Sequence, residues 1–558
     1  MRPAAHWLTG LSFVALAAAC SAGGGDGIER NPPGADDSTG SGGTTGSTGS
    51  GSVSSGTGGG DPRETCGTSQ VGAPVLRRLT RDELNRSIET VFPSIAGAYT
   101  LALSADDIPE FGFDNEAGRL LVGKQTARQV ADTAESAAAA VTANLGSILP
   151  CASSTLDATC AGEFLDSYGK RLFRRPLSAE ERTRYLDFFS QAASTTDATT
   201  SLGWMLRGLL ESPHFLYRRE IGGAGRELSQ YEIATELAYT FSGTAPSDEL
   251  IGMADRGELA SPETLVQTAS DLLVNGGYEV LQHFFSLWLR YEAAATLEKI
   301  NVSDYASVRQ DMLEETRRFI DEVVFQNGGG TRELLTSPIT TPSTRLASFY
   351  GLPAPSADFA PVERPAGQGM GLLAQGSILS TEALSNSSSP TQRSLLVFEG
   401  LLCREPPTVP PNVPIIPDPQ PGAVTTRQRY EQHRSEEPCK SCHLQFEPIG
   451  FAFEHFDEVG RYREDEGGLP IDTSGYVPNG LDERLFEFSS FEELVQGLLA
   501  EPVVHNCVSG LLASYAFGVG TSCLGESARA GFASGEIGFA EYFASLAGEP
   551  HFTRRAGN

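Results

Sequence analysis

The sequence predicts a mainly α protein, made of several small helical modules in one chain, one of which holds a short β-hairpin. Two observations carry this. A helix-start signal, Ser or Thr with Glu three residues later, recurs ahead of apolar runs at Thr80/Glu83, Ser178/Glu181, Ser229/Glu232 and Ser490/Glu493. Such capping boxes satisfy the free N–H groups of a first helical turn. Strict apolar–polar alternation, the mark of a strand, is scarce. With 558 residues, 40% hydrophobic and 20% charged, the chain has material for several packed domains, which excludes a wholly disordered chain and a small disulfide knot. A formal net charge of −30 repels phosphate backbones and excludes general nucleic-acid binding.

Residues 1–20 read as an export signal. Arg2 gives a short basic start, and Leu8 to Ala19 is an apolar run too short to span a bilayer. It ends in small residues before Cys20 and resembles a bacterial lipoprotein signal, in which that Cys becomes the lipidated first residue; the alternative is an ordinary cleaved signal. Residues 21–65 form a tether: from Ser38 to Gly60 every residue except Val53 is Gly, Ser or Thr, a composition that cannot bury apolar surface. The expected location is the bacterial cell envelope, lipid-anchored. Ala22, in place of an inner-membrane retention Asp, tilts this to the outer membrane.

The body divides into five modules at 66–148, 150–222, 226–355, 365–478 and 480–550. After Thr80, the residues Leu84, Ile88, Val91 and Phe92 keep helical spacing. Ser178 precedes Tyr185, Phe188 and Phe189 in the second module. Ser261-Pro262 starts a helix in the third, with Pro in the first turn, and a long helix from about Tyr305 to Gln326 stops at Gly328-Gly329-Gly330. The fourth contains a Pro-rich extended segment, Pro406 to Pro421, and the best hairpin candidate, Arg461 to Ile471, turning at Gly467-Gly468. Glu454, Asp457 and Glu458 read as a solvated helix face, with Asp457 and Arg461 paired at i, i+4. His214 and His283 sit beside aromatics at helical spacing and read as core or capping residues.

Export makes disulfides the expectation. Setting aside Cys20, Cys439 and Cys442, six cysteines allow 15 connectivities. Short loops suggest Cys151–Cys160 and Cys507–Cys523, leaving Cys66–Cys403.

One motif carries chemistry, Cys439-Lys440-Ser441-Cys442-His443. Two thiols three residues apart on one helical turn can each add to a haem vinyl group, and the adjacent His then presents its imidazole to the iron. Composition gives ~0.002 chance occurrences of C-x-x-C-H in this chain. Two other readings stay open. Cys439 and Cys442 could form a redox or structural disulfide, although no βαβ context surrounds them. Cys439, Cys442 and His455 match three ligands of a zinc finger, but no fourth His follows at the right distance. The body shows no G-x-S-x-G, H-E-x-x-H or P-loop.

The segment H-R-S-E-E-P-C-K-S-C-H-L-Q-F-E-P-I-G-F-A-F-E-H-F-D-E-V-G-R-Y-R, His433 to Arg463, resembles the cytochrome c domain of planctomycete-type multidomain proteins. L-R-R-L-T-R-D-E-L-N-R (76–86), L-F-R-R-P-L-S-A-E-E (172–181), L-L-E-S-P-H-F-L-Y-R (209–218), G-L-L-A-Q-G-S-I-L (371–379) and C-V-S-G-L-L-A-S-Y-A-F-G (507–518) resemble further stretches of that family, in its order. The resemblance implies an exported protein in which a small c-type cytochrome-like module, 365–478, carries one covalent haem c, and whose other modules have no assigned activity. Where the family usually has Asn this chain has His455, which weighs against His455 as a ligand. His433, in the family's H-R element, is the first candidate for the distal iron position, ahead of Met370 and His505; otherwise it braces the haem propionates or the turn. Three functions follow. The first is an electron carrier serving an unknown redox partner in the envelope. The second is a haem-dependent oxidase, peroxidase or polymer-degrading enzyme. The third is a haem-free surface-binding protein with a Cys439–Cys442 disulfide.

Overall fold

A computed structural model describes residues 71–556, apart from 109–111, 301, 409–423, 438, 481–482 and 520–525. The signal, the whole tether, Cys20, Cys66, Cys523 and most of the Pro-rich segment lie outside the described residues. Among the described residues the chain is mainly helical, and its named strands form four two-stranded antiparallel pairs. No described helix is long and apolar enough to cross a membrane.

The predicted caps start the helices. Thr80, Ser178 and Ser229 each accept the N–H of the Glu three residues on, and that carboxylate returns to the cap N–H, opening helices Arg81–Val91, Ala179–Ala193 and Gln230–Ser242. Ser490 forms half a box: it accepts from Glu493 N–H, while the Glu493 carboxylate takes the N–H of Ser489 instead. Ser261 caps Pro262–Leu272 with Pro in the first turn. The long helix is α-helical over Tyr305–Ile320 and widens over Asp321–Gln326, and Gly328 leaves it at φ +66°.

The hairpin is shorter than its sequence span suggests. Asp465–Glu466 pairs with Leu469–Pro470, and Gly467 and Gly468 turn between them at φ +61° and +83°, the double left-handed conformation of a tight two-residue turn. Three other pairs carried no clear alternation signal. The longest-range one joins Val75–Arg78 to Tyr217–Glu220.

The core has two large parts. One gathers Leu79, Phe92, Val141, Phe164, Leu206 and their neighbours; the other runs from Phe241 and Phe284 to Phe453, Leu494 and Phe543. The stretch Glu454–Glu458 is not a solvated helix face. Glu454 is 2% and Asp457 9% exposed. Asp457 does pair with Arg461 at 2.7 Å, but inside a turn whose Val459 and Arg461 N–H groups it also accepts. Glu454 turns inward to accept from Ser388 at 2.9 Å and Arg463 at 3.2 Å. Helical periodicity fails here because a 3₁₀ segment, Glu447–Phe453, precedes a turn that leaves Gly460 at φ +81°.

Three contacts fix that segment against helix Pro390–Gly400. Arg393, fully buried, donates to the carbonyls of Phe453 (3.0 Å), Phe456 (2.7 Å) and Asp457 (2.6 Å). Gly450 lies so close that a Cβ there would meet the Pro390 carbonyl oxygen at 1.9 Å, so only glycine permits the approach. Just past the helix, Cys403 is bonded to Cys507, while Cys151 is bonded to Cys160. The Cys403–Cys507 bond corrects the expected Cys507–Cys523 and Cys66–Cys403 pairs. The packing brings the Cα atoms of Cys403 and Cys507 to 5.4 Å, and that approach, rather than loop length, selects partners.

Candidate functional site

Cys439–His443 forms a single short helical turn, packed against the short helix Glu431–Ser435. Cys439 is buried, Cys442 half-buried, and both are free thiols. The i, i+3 spacing sets the two thiols on one side of the turn. His443 follows immediately, with its ring against Phe446 at 5.4 Å between centroids.

The residue that organises this turn is one the sequence reading passed over. Glu447, with no exposed surface, accepts three hydrogen bonds on Oε1: from His443 Nδ1 (2.9 Å), His433 Nδ1 (3.0 Å) and the Thr391 hydroxyl (2.6 Å). Its Oε2 is buried with no partner. Burial pushes the Glu447 carboxyl up, but the hydrogen bonds from His433 and His443 bring it below its ordinary value. Because a carboxylate only accepts, both rings carry their proton on Nδ1, and Nε2 of His443 has no described partner. The i+4 spacing from His443, which sets two side chains on one side of a helical stretch, was the available signal.

His433 does not stand opposite His443. The two rings lie side by side, 3.8 Å between centroids. Both rings are drawn to one carboxylate, that of Glu447. Met370 packs half-buried against the main core, and His505 donates from Nε2 to the Leu499 carbonyl at 3.1 Å.

Among the described residues His433, His443 and Glu447 form one group of ligand atoms within 4.8 Å of each other. Neither thiol joins it. His455 is turned away, bonded through Nδ1 to the Arg463 carbonyl (2.8 Å) and stacked on Tyr462, so Cys439, Cys442 and His455 do not form a zinc-finger set. Arg427 and Arg434 lie over the Phe451 ring at 4.4 and 5.5 Å. Arg427 Nη1 and Arg434 Nε are buried without an acceptor. An open cleft of ≈ 440 Å³ borders Arg427 and Glu431.

The two histidines read as structural have polar partners. His214 lies against Phe173 and 3.2 Å from Glu181. His283 meets Asp114 at 2.7 Å, in the wall of a polar cavity of ≈ 210 Å³ that also takes in Arg86 and Tyr515 and that no residue of the cysteine motif lines.

Four protein families match this chain. Residues 77–143 match PSD3, protein of unknown function (DUF1587), and 160–220 match PSD5, protein of unknown function (DUF1595). Residues 228–352 match PSD4, protein of unknown function (DUF1592), and 369–466, which include the whole His433–His443–Glu447 group, match PSCyt3, protein of unknown function (DUF1588). No curated protein and no solved structure matches it. These four matches, in this order along the chain, are to the domains of the planctomycete cytochrome c-associated multidomain family.

Proposed function

We propose that this chain is an exported lipoprotein, anchored in the cell envelope through Cys20, that holds one haem c and serves as an electron carrier. Cys439 and Cys442 would form the two thioethers, and His443 would ligate the iron through Nε2. A bound haem c supplies a one-electron Fe(III)/Fe(II) couple. The observation that carries the reading is the Cys439–His443 turn itself, with two free thiols on one side and the His443 imidazole held by Glu447 through Nδ1, which leaves Nε2 for metal. The orphaned buried N–H groups of Arg427 and Arg434 fit a ligand bearing carboxylates, as haem does in its propionates. The aromatic surroundings, Phe446 among them, suit a flat apolar macrocycle.

The test is a denaturing gel stained for haem peroxidase activity, on the full chain made in a host with cytochrome c maturation. A stained band that Cys439→Ala/Cys442→Ala abolishes is the expected result. An unstained wild type, beside a stained control cytochrome, refutes it. Carbon monoxide binding to the reduced protein would mark an open iron position and favour an oxidase or peroxidase over a carrier.

A second reading has its own observation. His433, His443 and Glu447 make a two-histidine, one-carboxylate set of the kind that suits a transition-metal ion without haem. Stoichiometric metal in unstained wild-type protein, lost in His433→Ala, would favour it.

A further inference from the structure

Glu447 concentrates three donors on one oxygen at the centre of this module, and it is fully buried. His433 reaches that oxygen from beside His443, 3.8 Å away ring to ring. This leaves no room for a macrocycle between the two imidazoles. With His433 beside His443, the Glu447 carboxylate would reach a metal on Nε2 only through the His443 imidazole.

We propose that Glu447 is a positioning residue that sets the potential of the haem iron through His443, that Thr391 moderates it, and that His433 braces Glu447 and does not ligate iron. The inference rests on the haem c reading above. A carboxylate accepting from Nδ1–H raises the basicity of the coordinating Nε2. A more basic axial nitrogen, with a buried negative charge behind it, favours the more positive oxidised iron and lowers the potential. Thr391, donating to the same oxygen at 2.6 Å, draws charge away from His443 and opposes that effect. The two substitutions therefore carry opposite signs, which damage to packing alone would not produce.

The experiment is a spectroscopic redox titration of the haem-loaded full chain. Glu447→Gln, which keeps the shape and removes the charge, should shift the oxidised/reduced equilibrium at least tenfold toward reduced iron, 59 mV upward for one electron. Thr391→Val should move the midpoint downward. His433→Ala should leave the Soret and visible bands in place. If Glu447→Gln fails to accumulate, Thr391→Val still decides the sign. An unmoved midpoint in the variants that load haem, or shifts of the same sign in both, overturns the proposal; so does a displaced Soret band in His433→Ala. Haem staining of the wild type separates the two failures. Stained protein with unmoved midpoints overturns this inference alone, and unstained protein overturns the haem reading and this inference with it.

Discussion

Glu220 is the residue whose loss this fold should tolerate least. It ends the strand Tyr217–Glu220, is fully buried, and faces Arg77 at 2.8 Å, Arg555 at 3.0 Å and Arg218 at 3.5 Å. Arg218 also meets Glu236 at 2.8 Å and Glu83 at 3.4 Å, so three guanidiniums face three carboxylates. Burial alone would push Glu220 up; Arg77, Arg218 and Arg555 hold it well below the ordinary carboxylate range. Glu236, in the same cluster, is raised by burial and by the charge of Glu220, against the pull of Arg218. Glu220→Gln leaves three cations against Glu83 and Glu236. Breaking a buried pair from one side typically costs about 3–5 kcal/mol, because the stranded charge keeps its desolvation penalty. At ~2.1 cal/mol/K of unfolding entropy per residue, a body of this size loses ~1 °C in Tm per kcal/mol, so the expected drop is about 3–5 °C. Differential scanning calorimetry with a parallel urea titration would measure it. The companion is Glu220→Met with Arg555→Met, which removes one charge of each sign and should be more stable than the single Glu220→Gln. A loss under about 1 kcal/mol in the single variant, or a double variant less stable than the single, would refute the reasoning.

Other outcomes follow from the same packing. His551, almost fully buried, accepts the Gly72 N–H on Nδ1 at 2.8 Å and must stay neutral to do so. Burial first, then Arg555, pushes it down to about 3. Its folded value lies below the unfolded one, so its contribution is present above about pH 6.5 and lost as pH falls toward 3, up to roughly 5 kcal/mol in all. The acid-side slope of Tm against pH should therefore flatten in His551→Gln, and an unchanged slope would contradict this. Non-reducing peptide mapping should recover Cys151–Cys160 and Cys403–Cys507. Removing the latter with Cys403→Ser/Cys507→Ser should cost about 4–5 kcal/mol, given a closed loop of 104 residues; a loss below 1 kcal/mol would count against that bond as a staple.

The sequence alone determined what short-range physics can write. A cap and its N3 glutamate are three residues apart, so Thr80, Ser178 and Ser229 announced their helices, and Gly467-Gly468 announced its turn. The cysteine motif was legible for the same reason, since Cys439, Cys442 and His443 lie within one helical turn. Tertiary structure decided the rest. Glu447 gathers Thr391 and His433 beside its near neighbour His443 only because Gly450 lets its segment press against the helix that begins at Pro390. His433 looked like a second axial ligand from its place in the sequence, yet it shares the carboxylate with His443. Glu220 and Arg555 stand 335 positions apart, and Cys403 meets Cys507 across 104 positions that no loop length foretold. Local hydrogen bonds are encoded by neighbours along the chain, whereas a buried charge or thiol finds its partner only after the apolar faces have packed and excluded water around it.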